Sequence, residues 1–578
     1  MTNYDVAIVG GGPAGSTAGT LLKKYNPNLR VLILEKEKFP RDHVGESQLP
    51  QISDILEEMG CWDKVEAANF PIKVGATYRW GKDPQPWDFD FVPPEQFKDE
   101  ARPAKYEGQR RQTAFQVDRA IYDQILLRHA EELGCEVREE TPVIKVDLEN
   151  NSKIKCLHLK NGQTITARYY IDASGHIGVL RRTLGIQTSC PTQLKNIAVW
   201  DYWTNAEWAE EIGVGGTRVQ VRSLGHGWIW FIPLGPTRTS IGFICPAEHY
   251  KQTNKKPEEL YREALEEEPF IKSLIANATS RGKIETTKDW SFLAEKTVGE
   301  NWLLTGESAG FADPILAAGM TLTHVGAREA AYTILELDRG ELDPNWLKSQ
   351  YDQNQRRRVK QHIRFADFWY AANGQFTDLQ EHSQKIARDA GLNLSPQEAF
   401  QWLSQGGFTN DILGQAVIAG FDLGSMKQVI QRFANEEIPW EVSGYNVFNL
   451  DLKDSTEESV AVYAKGKITQ VKCFVKGERR LPITGLYGLL VNILSRSSEI
   501  EQIYRQLLTM LNSRFSSQHA RVALHQALGC LEVMITEGWV KGSLNPQKPK
   551  LEISIPIEGA LIHTHREVVK TSETISIP

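Results

Sequence analysis

Tyr4-Asp5-Val6-Ala7-Ile8-Val9-Gly10-Gly11-Gly12-Pro13-Ala14-Gly15 joins an apolar run to a glycine-rich turn. The run Tyr4 to Val9 predicts a buried strand, Gly10 to Gly12 a tight turn, Pro13 to Lys24 a helix and Arg30 to Leu34 a second strand. That is a βαβ unit. Gly10, Gly12 and Gly15 form G-x-G-x-x-G between strand and helix, where glycine permits the turn, close approach of a pyrophosphate and tight helix packing. The helix start at Pro13 and Ala14 aims free N–H groups and the positive dipole end at that pyrophosphate. Glu35, closing the second strand, offers a carboxylate to ribose hydroxyls.

At 578 residues the chain exceeds one ordinary core, and domain sizes suggest roughly three to four structural units. With 41% hydrophobic and 24% charged residues it is globular, and no stretch approaches the roughly 20 apolar residues of a membrane span, so a soluble protein is expected. The short apolar run after Asp5 breaks into glycines and reads as a strand, not a signal peptide, which implies a cytoplasmic protein. Cys61, Cys135, Cys156, Cys190, Cys245, Cys473 and Cys530 are scattered without C-x-x-C spacing, so a reducing compartment and no metal are expected. A net charge of -7 without a long basic run argues against a nucleic-acid partner.

Strand patterns over Val143 to Leu148, Lys153 to Leu159, Thr164 to Ile171, Ile197 to Trp203, Val219 to Arg222, Trp228 to Pro233 and Ser240 to Cys245 predict a sheet-rich middle. From Leu322 to about Phe433 the pattern turns helical, with a basic helix over Arg356, Arg357, Arg358, Lys360 and Arg364. Beyond Tyr445, strands over Val460 to Tyr463 and Thr469 to Val475 precede helices over Gly485 to Leu494, Ser498 to Leu511 and Ala520 to Glu537. The expected fold is α/β: a Rossmann-type dinucleotide module with an inserted antiparallel β-sheet over residues 1–345, a helical segment over 346–444, and a small α+β domain over 445–578, winged-helix-like or a lid.

Asp172-Ala173-Ser174-Gly175 and Thr305-Gly306-Glu307, each after a strand, resemble the further flavin-contacting motifs of aromatic-hydroxylase-type flavoproteins; Glu307 stands where those carry aspartate. Gln116-Val117-Asp118-Arg119 is similar to that family's helix start. The resemblance implies FAD, with Asp172, Gly306, Glu307 and Arg119 beside it. As there is one glycine fingerprint and no second, a docking domain for NAD(P)H is not visible, and a separate partner reductase is expected to supply reduced flavin.

Trp228-Ile229-Trp230-Phe231-Ile232-Pro233 resembles the W-x-W-x-I-P signature of flavin-dependent halogenases. The segment around Lys73, Phe70-Pro71-Ile72-Lys73-Val74-Gly75, looks like the lysine segment of the phenol- and pyrrole-type branch. Phe39-Pro40-Arg41 with Val44-Gly45-Glu46-Ser47 resembles the loop that runs beside the isoalloxazine ring, implying contacts from Arg41, Glu46 and Ser47. Phe311-Ala312-Asp313-Pro314-Ile315-Leu316-Ala317-Ala318-Gly319 follows the family's F-x-x-P-x-x-S-x-G pattern except that Ala317 replaces serine. It implies Pro314 and Gly319 at the flavin and halide held by backbone N–H groups of Ala318 and Gly319.

The family resemblance covers residues 1 to about 370 and implies that reduced FAD, O2 and halide generate hypohalous acid for an electron-rich aromatic, free or tethered to a carrier protein. A buried Lys73 suits such chemistry, because its ammonium can hydrogen-bond the hypohalous oxygen, or its amine can carry the halogen. Trp228 and Trp230, two apart on a strand, share a face and wall flavin from substrate. The basic helix docks an acidic carrier or is a solvated face. A flavin monooxygenase or geranylgeranyl-reductase-like enzyme, or an idle flavin-binding protein, would share the glycine and flavin motifs.

Overall fold

The computed structural model describes residues 4–81, 85–92, 97–150, 152–192, 194–213, 215–288, 290–370, 440–477, 479–513, 517–550 and 562–564. The chain forms two compact units: residues 1–79, 88–367 and 463–468 in one, and 80–87, 368–462 and 469–578 in the other.

In the first unit a five-stranded parallel sheet runs Trp302–Leu304, Ala167–Asp172, Tyr4–Val9, Val31–Leu34, Glu136–Arg138. Val31–Leu34 and the Val6 to Val9 part of its neighbour are apolar and buried because both faces are covered there, whereas the edge strand Glu136–Arg138 is polar and partly exposed. Ala7, Val9, Leu32 and Leu34 pack with Tyr170 and Leu304 on one side, while Val6, Ile8, Val31 and Ile33 pack against the helices Pro13–Tyr25, Arg119–Glu132 and Gly319–Arg339 on the other. This doubly covered parallel sheet is the expected Rossmann-type half.

A larger sheet carries the strands Thr279–Ser280, Asn196–Thr204, Arg238–Pro246, Gly227–Pro233, Gly216–Leu224 and Ile72–Arg79 in that order. Among these six strands the pairing is antiparallel as expected save that Gly216–Leu224 pairs with Ile72–Arg79 in parallel, with a register irregularity between Thr217 and Arg218. Ile229, Phe231, Ile241 and Phe243 line one face against Leu260, Ala264 and Ile271 from the helices Pro257–Glu267 and Pro269–Leu274. A third sheet is a small meander, Val143–Glu149, Lys153–Leu159 and Thr164–Ile165. The single strand expected over Thr164 to Ile171 is broken at Thr166, and its second half, Ala167–Asp172, joins the parallel sheet instead.

The helical stretch opens as expected with Gly319–Arg339 and Pro344–Tyr370; residues 371–439 of that expectation lie outside the described residues. The basic run from Arg356 to Arg364 is partly solvated: Arg356 keeps 41% of its side chain exposed, while Arg357, Arg358 and Lys360 are half-buried and Arg364 is buried. Arg358 pairs with buried Glu329 at 2.6 Å, Arg356 pairs with Asp352 at 3.6 Å, and Val359 and Ile363 lie in the core.

The second unit has its own core of the helices Gly485–Leu494, Ile500–Asn512 and Ser517–Thr536, with Trp440, Phe448 and Trp539 packed among them. The strands Val447–Leu450 and Val540–Ser543 pair antiparallel beside that core. Among the described residues no helix is long and apolar enough to cross a membrane.

Candidate flavin and halogen-transfer site

The glycine turn is fixed by the absence of side chains. Gly10 has φ +111, and a Cβ there would lie 2.2 Å from the Ala173 carbonyl oxygen; one on Gly15 would lie 1.9 Å from the Gly10 carbonyl oxygen. Neither distance is tolerable, so both positions admit only glycine. Gly12 differs: a Cβ would meet only Arg41 Nη2, at 3.4 Å, so the guanidinium faces the open side of the turn. Pro13 and Ala14 begin the helix with Gly12 as its cap, no side chain satisfies its first N–H groups, and Ser16 Oγ donates to Gly11 O at 2.8 Å. Free N–H groups, a dipole end and a nearby guanidinium suit a pyrophosphate. Glu35 is buried, and its Oε2 accepts from Gly11 N at 2.7 Å, which aims the carboxylate at the turn.

The two downstream motifs meet the same turn. Ala173 continues from Asp172, which pairs with Val9 across the parallel sheet. Gly306 has φ +61, and a Cβ there would stand 3.2 Å from Ala14 Cβ; a Cβ on Gly175 would stand 3.7 Å from Glu307 Oε2. Glu307, half-buried, thus faces the gap between the motifs.

Two of the expected cofactor residues are also held by partners within the chain. The Asp172 carboxylate accepts from Ser174 N at 3.1 Å, Ser174 Oγ at 2.6 Å, Leu180 N at 2.8 Å and Arg181 N at 3.0 Å. These donors, from the loop and the next helix start, fix the carboxylate's orientation. Arg119 is likewise engaged: Nε and Nη2 form a fork on Asp123 at 2.7 and 2.9 Å, and Nη1 donates to the Val44 and Gly45 carbonyls at 2.9 and 3.2 Å. It holds the loop 41–47 in place. Asp123 was not among the expected residues; its spacing of four from Arg119 on a helix was the available signal.

Along that loop, Arg41 reaches Asp123 at 3.2 Å. Glu46 is buried, which holds its carboxyl above the usual range, against the opposing hydrogen bonds from the Tyr202 hydroxyl and Gly45 N. Ser47 bridges Gln116, and Ser47 Oγ and the Gln116 amide are buried without a hydrogen-bond partner among the described residues. Unpartnered polar groups buried together beside a dinucleotide turn are what a polar ring system needs from its walls. The residues therefore fit FAD.

Pro314 opens a short turn, Pro314–Leu316, that leads through Ala317 into the helix Gly319–Arg339. Ala317 has φ +53, the left-handed conformation, and Ala318 is the helix cap, with no side-chain hydrogen bond. The N–H groups opening a 21-residue helix are thus offered beside residues too small to cover them, as an anion requires.

Lys73 lies on the strand Ile72–Arg79, 2% exposed, and burial alone lowers its pKa from 10.5 to about 7. Its Nζ stands 5.5 Å from the Phe91 ring centroid. The register irregularity pairs Lys73 with Thr217 while Gly75 pairs with Arg218, which returns Lys73 to the parity of Val219 and Val221. Val221 in turn pairs with Trp230. Lys73, Trp228 and Trp230 consequently share one face.

They are not in contact. Trp230 is level with Tyr78, and from there to Lys73 the strand rises roughly 16 Å. Trp228 and Trp230 do touch, with ring centroids 6.1 Å apart, and Trp230 Nε1 donates to Ser240 Oγ at 3.1 Å. Trp200 packs 6.4 Å from Trp230.

Residues 3–366 match the family model described as FAD binding domain. A tryptophan 2-halogenase from Chondromyces crocatus is 31% identical over 345 residues, covering 58% of this chain and 62% of that protein. A 1H-pyrrole-2-carbonyl peptidyl-carrier-protein chlorinase from Pseudomonas fluorescens is 29% identical over 388 residues, covering 65% of this chain and 85% of that one. The crystal structure of CmlS, a flavin-dependent halogenase, is 23% identical with a TM-score of 0.70, covering 97% of this chain and 100% of that chain, and so shares its fold.

Proposed function

The chain belongs to the FAD binding domain family and, within it, to the flavin-dependent halogenases, and from that premise we propose that it halogenates an electron-rich, phenol- or pyrrole-like aromatic through Lys73. The observation that carries the reading is a lysine buried at 2% exposure, with no counter-charge lowering or raising its pKa, on the sheet face shared with the tryptophan pair. Among the described residues its Nζ lies over the Phe91 ring, 5.5 Å from the centroid, with no charged partner among the causes of its shift, a setting that suits a lysine kept for a ligand.

Reduced FAD with O2 supplies the oxidising equivalents that convert halide to hypohalous acid. The chain's part is to hold and steer. Gly10 to Gly15, Glu35 and Arg41 bind the dinucleotide end, while Ser47 and Gln116 present hydrogen-bonding groups to the ring end. The backbone of Ala318 and Gly319 holds halide. Trp228 and Trp230 exclude the substrate from the flavin. The Lys73 ammonium donates a hydrogen bond to the hypohalous oxygen, so that the aromatic carbon bonds to halogen, the ring loses its proton and the oxygen departs as water.

Reduced flavin is supplied by a separate reductase. The substrate is free or carrier-tethered, a choice motivated by the carrier-protein chlorinase among the relatives; the internally paired helix Pro344–Tyr370 gives no support to a docking role for its cations.

The test is mass spectrometry of reactions containing the protein, FAD, a flavin reductase, NADH and a phenol, pyrrole and indole panel, free and carrier-loaded, with bromide or chloride. Halogenated product that is lost in Lys73→Ala, with FAD binding retained, is expected. Oxygenated product independent of halide would reassign the chain as a monooxygenase.

A further inference from the structure

The small meander holds a group of side chains that neither flavin binding nor halogen transfer uses. Asp147 on Val143–Glu149 pairs directly with Cys156 on Lys153–Leu159, and His158 lies two residues on, across from Lys145. The opposite face of this hairpin is core, with Val146, Leu157 and Leu159 buried, so alternation sends Asp147, Cys156 and His158 together to the outer face. His158 Nε2 lies 2.7 Å from Asp147 Oδ2 and 3.6 Å from Cys156 Sγ, and Sγ lies 3.8 Å from the same Oδ2.

Two chemistries use cysteine, histidine and aspartate. A nucleophilic triad needs thiol and carboxylate on opposite ring nitrogens, so that the carboxylate orients and the thiol is deprotonated. Here both converge on Nε2, while Nδ1 faces Thr164 Oγ1 at 3.4 Å. A relay cannot form from that arrangement; a common point between three donor atoms can.

We infer that Asp147, Cys156 and His158 form a binding site for one zinc ion, with one thiolate, one imidazole and one carboxylate as ligands and a fourth position open to water. Metal–ligand distances of about 2.3 Å to sulfur and about 2.0–2.1 Å to nitrogen and oxygen imply tetrahedral edges of roughly 3.5 Å between sulfur and either neighbour and roughly 3.3 Å between nitrogen and oxygen. The two observed sulfur edges, 3.6 and 3.8 Å, come within a few tenths of an ångström of this. The nitrogen–oxygen edge is shorter because a hydrogen bond spans it, and a metal replacing that proton opens it. A mixed sulfur, nitrogen and oxygen set suits zinc over calcium or magnesium.

The surroundings agree. Lys145 holds the other carboxylate oxygen, Oδ1, at 2.8 Å, fixing the group so that Oδ2 turns toward the site. Asp147 and His158 are half-buried, which leaves an entry path from solvent, while Cys156 sits beneath them. The thiol must release its proton to bind, so affinity rises with pH. An ion here would cross-link the hairpin, far in sequence from the halogen-transfer residues.

The experiment titrates the full chain with Co2+ as a spectroscopic stand-in for zinc. One equivalent is expected to give a thiolate-to-cobalt charge-transfer band that Zn2+ abolishes. Cys156→Ser should lose the band, His158→Ala and Asp147→Asn should weaken binding about 10-fold or more, and Cys190→Ser should leave it unchanged. The half-buried His158 and Asp147 positions keep the test decisive if Cys156→Ser does not fold. A band that never forms, survives Cys156→Ser in folded protein, or disappears with Cys190→Ser would overturn the assignment.

Discussion

The Tyr202 hydroxyl donates to Glu46 Oε1 at 2.8 Å, joining the loop beside the dinucleotide turn to the strand Asn196–Thr204 of the large sheet. The tyrosine ring is itself clasped, with the Arg238 and Arg281 guanidinium carbons 4.2 and 4.7 Å from its centroid. Both arginines also pair with Asp42 on the same loop, at 2.9 and 3.0 Å. The part of the chain that holds the flavin is thus fastened to the part that carries the tryptophans.

Removing that fastening should separate stability from fold. Tyr202→Phe keeps the ring between the arginines but leaves a buried carboxyl one donor short, at a cost of about 1–3 kcal/mol. Denaturant unfolding should show that loss, and FAD should dissociate more readily, followed by flavin fluorescence. Unchanged unfolding and unchanged FAD affinity would show that the contact fastens nothing.

The glycines divide by what a methyl group would strike. Gly10→Ala and Gly15→Ala place a Cβ within 2.2 and 1.9 Å of backbone oxygens. Each should cost several kcal/mol and yield protein without FAD, because the backbone itself must move. Gly12→Ala meets only the end of a flexible arginine at 3.4 Å. It should fold with a near-native melting temperature yet bind FAD more weakly, since the methyl stands on the open side of the turn. Equal damage from all three would contradict this division.

Ala317 stands where the halogenase pattern carries serine, in the left-handed conformation at φ +53. A serine there adds a donor next to the helix start without requiring a new backbone shape, since both residues bear the strain of a Cβ. Ala317→Ser should lower the KM for bromide or chloride severalfold with little change in melting temperature. An unchanged halide KM would place halide recognition elsewhere.

What could be read from the sequence follows how local each requirement is. The βαβ unit was legible because Gly10 and Gly15 are demanded by contacts within the motif and its immediate sheet partner. Lys73 was legible as a buried residue from its apolar neighbours. Its face was not: strict alternation sets it opposite Tyr78, and only the irregular pairing with Thr217 and Arg218, more than a hundred residues away, returns it to the tryptophan side. The wall of Trp228 and Trp230 followed from their spacing, whereas their separation from Lys73 needed the order of three strands. The partners of Asp172 were not legible, because a motif resemblance names a residue without naming what holds it, here the Leu180 and Arg181 N–H groups. The pairing of Arg358 was not legible for a related reason: its counter-charge, Glu329, sits on another helix.

The pH dependence of Lys73 gives the sharpest test of its role, because its sign differs between stability and catalysis. The folded pKa is about 7 and the unfolded one 10.5. Below about 7 both states hold the proton, so the full cost of burying the ammonium is present. Between these values the unfolded chain binds more protons than the folded chain, and stability therefore rises with pH until the cost is gone. Lys73→Met removes this contribution: it should be the more stable protein near pH 7, by several degrees in melting temperature, with the difference shrinking as pH approaches 10.5. If the ammonium guides the hypohalous oxygen, halogenation by the native chain should instead fall as pH rises through about 7, measured with flavin reduction in excess. A rate that rises through the same point would assign the work to the neutral amine, and a rate with no break there would remove Lys73 from halogen transfer altogether.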